Sequence, residues 1–180
     1  MPIALYHIFN DMIAQAISEY EETTQQLLRL LSKFTLAQFN QVPFEGSWTA
    51  GQLAEHVLKS QSSIGELFGG GARPANRKPD EKREEIKSVF LDFTIKMQSP
   101  EFVVPSDGAK DKDTLLQQLE ATRGKVTQAA AAYDYTYECI GFELPGSGPY
   151  TRIEWLYFII YHTQRHVHQL RNIYHKLCLV

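Results

Sequence analysis

The stretch from Thr151 to His175 constrains the fold most, because it is a long helical pattern that contains four of the six histidines. His162 and His166 are four residues apart, and on an α-helix that spacing places both imidazoles on one face, about one turn apart. The other residues on this face are mostly apolar: Trp155, Phe158, Ile159, Gln169, Leu170 and Ile173. The pattern therefore predicts a long helix whose buried face carries two histidines.

Apolar residues at helical spacing predict three further long helices. The four predicted helices span residues 3–33, about 49–68, 114–133 and 151 to about 177. Thr49 with Gln52, and Thr151 with Glu154, have the spacing of a capping box at a helix start. Asp113 is the expected N-cap of the third helix, and three consecutive glycines end the second.

Two long connections separate the predicted helices. Residues 69–112 are rich in glycine, proline and charge, and only a short helix near 84–95 is expected there. Residues 135–150 are expected to include a short extended piece. Long loops in a compact domain are often functional, for example as a lid over a site. Four long helices with such connections predict an all-α fold, a four-helix bundle, in a single domain over residues 1–180.

Composition excludes several classes of function. The net charge is −3, so bulk charge attracts neither nucleic acid nor an acidic membrane. No apolar run approaches the roughly 18 residues that a membrane span needs. The N-terminal residues lack the basic and small-residue features of a signal peptide. The two cysteines, Cys139 and Cys178, form no disulfide framework, so a reducing cytoplasm is expected.

A third histidine, His56, lies on the predicted buried face of the second helix. Facing helices of a bundle can bring it close to His162 and His166, and three imidazoles leave metal positions open for water or substrate. Nitrogen ligands suit zinc, nickel, iron or manganese. The alternative is that each histidine is an ordinary hydrogen-bonded core residue. A zincin protease is disfavoured, because Thr163 stands where HExxH has glutamate.

Neighbouring polar residues are candidates for supporting roles. Arg165 and Gln169 could orient a ligand or contact substrate, and for Arg165 a surface salt bridge is the alternative. Glu55 could serve as a general base, but it is expected to be a solvated surface residue, because it is turned roughly 100° away from the adjacent His56. His168 is left out of the ligand set, because it lies about 120° from His162 around the helix. The two remaining histidines, His7 and His175, are expected to face solvent.

Two segments resemble the DinB/YfiT-like superfamily: SWTAGQLAEHV (47–57) and EWLYFIIYHTQRHVHQL (154–170). The resemblance implies a four-helix bundle with up-down-down-up order and a divalent metal held by His56, His162 and His166. The Arg-His pair and the trailing glutamine of the second segment also match a common form of the family motif. Family members are often dimers, so the resemblance implies a homodimer.

The resemblance leaves three functions open. The first is a thiol-dependent S-transferase, similar to bacillithiol and mycothiol transferases and maleylpyruvate isomerases, with zinc or nickel as the metal and a low-molecular-weight thiol as co-substrate. The second is a hydrolase that uses a metal-bound hydroxide on a small-molecule substrate. The third is a non-catalytic bundle that binds a small molecule in a stress response. The superfamily name implies no DNA chemistry, and nothing in this acidic chain suggests it.

Overall fold

The structure is a computed structural model that describes the backbone of residues 3–178 and the side chains of residues 11–178. The elements are α1 (Ile3–Ser32), α2 (Leu36–Phe39), α3 (Ala50–Phe68), β1 (Ala72–Pro74), α4 (Arg83–Leu91), a short 3-10 helix (Glu101–Val103), α5 (Lys112–Ala132), β2 (Tyr137–Cys139) and α6 (Arg152–Cys178). The predicted mostly helical class is confirmed. The predicted position of the His7 side chain lies outside the described residues. No helix in the described range is both long and apolar enough to cross a membrane.

Both predicted capping boxes are present. At the start of α3 the Gln52 amide N–H donates to Thr49 Oγ1 at 3.0 Å, and the Thr49 N–H donates to Gln52 Oε1 at 3.0 Å. At the start of α6 the Glu154 N–H donates to Thr151 Oγ1 at 3.2 Å, and the Thr151 N–H donates to Glu154 Oε2 at 2.9 Å. These reciprocal bonds satisfy amide groups that have no partner inside the helix, so they define where each helix begins.

Two helix boundaries differ from the prediction by two or more residues. The N-cap of α5 is Asp111 and not Asp113, because Asp111 Oδ1 accepts a hydrogen bond from the Thr114 N–H at 2.7 Å. The helix therefore begins two residues earlier than predicted. The short helix α4 ends at Leu91 and not near residue 95, and the Arg165 side chain donates to the backbone carbonyls of Phe90 and Asp92 at this end.

Three small elements were not predicted: α2, β1 and the 3-10 helix Glu101–Val103. Helix α2 forms one turn directly after α1, and its N-cap Thr35 has a capping box with Gln38. Strands β1 and β2 pair antiparallel, with Ala72 opposite Cys139 and Pro74 opposite Tyr137. The extended piece near residue 137 was expected, but its partner strand lies on the far side of α4 and α5 in the sequence. Local patterns contain no information about such a distant partner.

The four long helices pack through two apolar clusters. Helices α1 and α3 each contact α5 and α6, and α4 lies against α6. One cluster contains Trp155, Tyr157 and Tyr161, and the other contains Leu27 and Leu170. The stretch 162–166 of α6 falls between the parts of the helix that belong to each cluster, so the histidines lie in the middle of the packed structure.

A layer of buried polar groups separates the two apolar clusters. The Tyr20 hydroxyl donates to Gln61 Oε1 at 3.1 Å, and Gln61 Nε2 donates to the Thr24 and Thr163 hydroxyls at 3.2 and 3.4 Å. These four side chains are inaccessible to solvent. Since a buried polar group is costly unless it has a partner, this network fixes the register of α1, α3 and α6 at the level of His162.

Candidate metal centre

Three histidine side chains from two helices meet in the polar layer. His56 Nε2 lies 3.1 Å from His162 Nε2, and His166 Nε2 lies 3.2 Å from the same atom. All three ligand atoms lie within 4.8 Å of one another. The side chains are almost fully buried, with exposed fractions of 2% for His56, 8% for His162 and 7% for His166. The structure thus brings together the three residues that the sequence singled out.

Hydrogen bonds on the far side of two imidazoles set their tautomers. His56 Nδ1 lies 2.9 Å from the Val103 carbonyl oxygen, and His166 Nδ1 lies 3.0 Å from Gln169 Oε1. Both oxygens only accept hydrogen bonds, so each Nδ1 carries the proton and donates it. In a neutral imidazole this leaves Nε2 with a free lone pair. His56 and His166 therefore direct lone pairs toward His162.

The donor set fits a divalent metal. Nitrogen atoms bound to one tetrahedral zinc ion at about 2.0–2.1 Å lie about 3.3 Å apart, close to the 3.1 and 3.2 Å measured between the Nε2 atoms. Metal-binding histidines usually donate the other ring N–H to a carbonyl or carboxylate, as His56 and His166 do here. Among the described residues, His162 Nδ1 is buried without a hydrogen-bond partner. A cation among the three Nε2 atoms would accept the lone pairs that His56 and His166 direct into the centre.

Aromatic side chains form the walls of the centre. The Phe158 ring stacks on His162 with a centroid distance of 5.6 Å, and the Phe90 ring meets His162 edge-on at 6.0 Å. On the other side, the Trp48 ring lies 5.0 Å from the His56 ring. These rings keep water away from the imidazoles, and in such an environment electrostatic interactions are stronger than in water.

Burial lowers the pKa of all three imidazoles. The pKa of His166 falls from 6.5 to about 3, because burial penalises the charged ring and His56 lies close by. Burial is also the main cause of the lowered pKa of His56 and of the pKa of His162, which lies well below its ordinary value. All three rings are therefore neutral at pH 7, which is the state that binds a metal.

The metal-free protein is expected to lose stability below about pH 6.5. Between pH 6.5 and about 3 an unfolded chain binds protons on imidazoles that the folded protein keeps neutral. The free energy of unfolding therefore falls with pH, by about 1.4 kcal/mol per unit for each such histidine. Urea unfolding in EDTA at pH 7.5, 6.5 and 5.5 measures this slope. The slope should be smaller in His166→Ala and unchanged in His175→Ala, where an exposed side chain is removed; equal slopes would contradict the prediction.

A long segment crosses the centre between α4 and α5. Residues 92–110, here called the strap, contact α3 through the Val103 carbonyl and α6 through the Phe93 ring, which stacks on His168 at 3.9 Å. Val103 is 5% exposed, and its carbonyl is the partner of His56. The strap therefore contributes a buried residue and a backbone acceptor to the centre, and its role as a lid stays a prediction.

Within the described residues, Arg165 forms no surface salt bridge of the kind considered for it. Its guanidinium donates to the backbone carbonyls of Phe90 at 3.2 Å and Asp92 at 2.8 Å, and it also bonds to the carbonyl of Ile95. Arg165 thus joins α6 to the end of α4 and the start of the strap. Gln169 contacts His166 directly, which agrees with the prediction that it could orient a ligand.

Glu55 is not the solvated residue that its helix position predicted. Its carboxylate accepts hydrogen bonds from Lys59 Nζ at 2.9 Å and Lys110 Nζ at 2.7 Å. Burial alone would raise the pKa of Glu55, but bonds from Lys110, Lys59 and Ser106 hold it at about 2. The prediction failed because Lys110 and Ser106 belong to the strap, whose path over α3 is a matter of tertiary structure.

Two contributors to the site were missed in the sequence. The Val103 carbonyl is a backbone group, so no residue type indicates it, and it is 47 positions from His56. Phe90 belongs to a short helix whose position against α6 could not be predicted. Phe158, in contrast, was placed on the same face as His162 by its helical spacing alone.

Comparison with known families identifies the chain. A family model described as DinB superfamily matches residues 19–170. No curated protein and no solved structure matches the chain. The matched region contains all three histidines and most of the described fold. Since it covers well over half of the 180 residues, the chain belongs to the DinB superfamily.

Proposed function

We propose that this chain is a thiol-dependent S-transferase whose divalent metal is held by His56, His162 and His166. The observation that carries the proposal is the convergence of three Nε2 atoms, 3.1 and 3.2 Å apart, with two of the rings held in the metal-binding tautomer. Membership of the DinB superfamily supports it. Zinc or nickel is the proposed metal, and iron or manganese also suits nitrogen ligands.

The ligand set favours an anionic substrate group. Three protein ligands leave room for an exogenous ligand, as in catalytic sites. The chemistry that a divalent ion supplies there is Lewis acidity, which lowers the pKa of a thiol or water that binds in the open position. Because three neutral imidazoles bring no negative charge to the site, it attracts an anion, and a low-molecular-weight thiol ionises readily enough to provide one.

The protein's own groups hold and shield this centre. The Val103 carbonyl and Gln169 Oε1 keep the Nδ1 protons of His56 and His166 in place. Phe90 and Phe158 exclude water from one side of His162, and a dry site strengthens attraction between opposite charges. These roles require no proton transfer by the chain, which suits transfer of a group to a thiol.

Hydrolysis is the alternative reaction, and the environment of Glu55 favours it less. A hydrolase gains from a general base that accepts a proton from water. Glu55, the acidic residue adjacent to His56, is bound by Lys59 and Lys110, and the described cluster around the histidines contains no carboxylate. The third possible function is that of a non-catalytic binding protein, and an assay of thiol dependence separates it from both reactions.

The test is thiol dependence in protein of known metal content. Tag-free protein loaded with zinc or nickel is incubated with a panel of epoxides, haloaromatics and maleyl acids, each with and without bacillithiol, mycothiol or glutathione. We expect thiol consumption that requires both the metal and an acceptor, and that stops with EDTA. Turnover without thiol would instead assign hydrolysis. Metal-free protein that keeps its melting temperature and binds a small molecule without turnover would assign a binding function.

We also propose the architecture and setting that the family resemblance implies. The four long helices form an up-down-down-up bundle in one domain over residues 1–180, supported by the packing of α1 and α3 against both α5 and α6. A cytoplasmic location is supported by two unpaired cysteines, Cys139 and Cys178. A homodimer is proposed, and sedimentation equilibrium of the full chain tests it.

A further inference from the structure

The two ends of the strap are held by the residues that directly precede metal-site histidines in the sequence. Arg165, next to His166, bonds to backbone carbonyls at the start of the strap. Glu55, next to His56, bonds to side chains and a backbone amide near its end. Each helix that carries a histidine of the centre therefore also holds one end of the segment that covers it.

Glu55 makes most of the contacts that hold the C-terminal end of the strap. The Ser106 backbone N–H donates to Glu55 Oε2 at 3.2 Å, and the Ser106 hydroxyl lies 3.1 Å from both carboxylate oxygens. Lys110 Nζ lies 2.7 Å from Glu55 Oε2, and the Lys110 side chain is only 9% exposed. A carboxylate with several charge-assisted partners on one segment holds that segment more firmly than an isolated surface pair would.

Three further hydrogen bonds complete the attachment. Lys59 Nζ, which pairs with Glu55, also donates to the Val104 carbonyl at 2.8 Å. The Asn40 side chain pairs with the Lys110 backbone, accepting from its N–H at 2.6 Å and donating to its carbonyl at 3.0 Å. The strap is thus fixed at positions 104, 106 and 110, directly after Val103.

The position of the Val103 carbonyl depends on this attachment. The carbonyl accepts the Nδ1–H of His56 at 2.9 Å and so sets which ring nitrogen faces the centre. Because it is a backbone group, its place is determined by where the strap lies. Outer partners of this kind orient a metal-binding histidine, and their loss typically weakens metal binding by about 10–100-fold.

We propose that Glu55 is a positioning residue for the metal centre, acting through the strap to hold the Val103 carbonyl against His56. This inference rests on the proposed function and deepens it. Loss of the carboxylate charge leaves the largely buried Lys110 side chain without its counter-ion, and Ser106 without a strong acceptor. The end of the strap then separates from α3, and His56 loses the acceptor that fixes its tautomer.

The experiment compares Glu55→Gln with wild type and with Glu120→Gln, which removes a carboxylate from an ion pair with Arg123 on α5, away from the strap. The zinc dissociation constant is measured by competition with a chelating dye. Hydrogen exchange of the strap amides is measured in the metal-free protein. We expect about tenfold weaker zinc binding and faster exchange at Ser106 for Glu55→Gln, with neither change for Glu120→Gln.

Other outcomes overturn the inference in recognisable ways. An unchanged dissociation constant with faster exchange at Ser106 would mean that Glu55 holds the strap but does not position the centre. Unchanged values in both would mean that it does neither. If Glu55→Gln fails to fold, Ser106→Ala removes the partner on the strap without leaving an unpaired charge, and weaker zinc binding is again expected. Wild-type protein that binds none of zinc, nickel, iron and manganese would overturn the proposed function itself, and Glu120→Gln would then bind none either.

Discussion

The His162→Ala variant is expected to lose stoichiometric metal and every metal-dependent reaction. His162 Nε2 lies between the other two Nε2 atoms, at 3.1 and 3.2 Å, so its removal leaves two donors that face a gap. Loss of a direct ligand should weaken binding by more than the roughly 10–100-fold that follows loss of an outer partner. Elemental analysis of protein purified without a His-tag, wild type and variant, measures this directly.

Stability separates loss of the ligand from loss of the fold. His162 is buried with no partner for Nδ1 among the described residues, so alanine removes an unsatisfied polar atom as well as a ring. We expect the variant to unfold cooperatively in EDTA, and to show none of the increase in melting temperature that zinc produces in wild type. His175→Ala, at the exposed end of α6, should behave as wild type. Equimolar metal retained by His162→Ala would refute the ligand assignment.

The Arg77→Leu variant is expected to be strongly destabilised. Glu154 is inaccessible to solvent near the start of α6, and Arg77 binds its two oxygens at 2.6 and 2.7 Å. Removal of the arginine leaves a buried carboxylate without a counter-ion, which costs about 3–5 kcal/mol. For a chain of this size, that corresponds to a fall in melting temperature of about 10 °C. Calorimetry of the metal-free protein measures the fall.

A matched pair on the surface provides the control. Arg123 pairs with Glu120, whose side chain is 50% exposed, so Arg123→Leu should cost less than about 1 kcal/mol. Adding Glu154→Gln to Arg77→Leu should recover part of the loss, because the uncompensated charge is then removed. If Arg77→Leu costs no more than Arg123→Leu, the ion pair contributes little to the fold.

Features that depend on neighbouring residues could be predicted. Helical spacing of apolar residues and the pairs Thr49–Gln52 and Thr151–Glu154 placed the long helices within a few residues, because capping bonds join positions three apart. The wrong N-cap residue predicted for α5 also has a local cause. Asp111 and Asp113 are both suitable N-caps by residue type, and the backbone geometry selects Asp111.

Features that join distant segments could not be predicted. The pairing of Ala72 with Cys139 and the bonds from Glu55 to Ser106 and Lys110 link residues far apart in the sequence. The periodic spacing of apolar residues in the sequence does not indicate such contacts. The solvated position expected for Glu55 followed correctly from its place on the helix, but the strap lies over that part of α3 and shields it.

By itself, the sequence determined the long helices and the shared face of His162 and His166, because both follow from the 3.6-residue period of an α-helix. Helical spacing also placed His56 on the buried face of the second helix, and the family resemblance, now confirmed, implied that it binds a metal together with the other two. Only the tertiary structure decided that His56 Nε2 lies 3.1 Å from His162 Nε2, although the residues are 106 positions apart, and that a carbonyl of the strap sets the His56 tautomer. Those distances result from the packing of α3 against α6 and from ion pairs that hold the strap, and both are interactions between segments that local sequence does not specify.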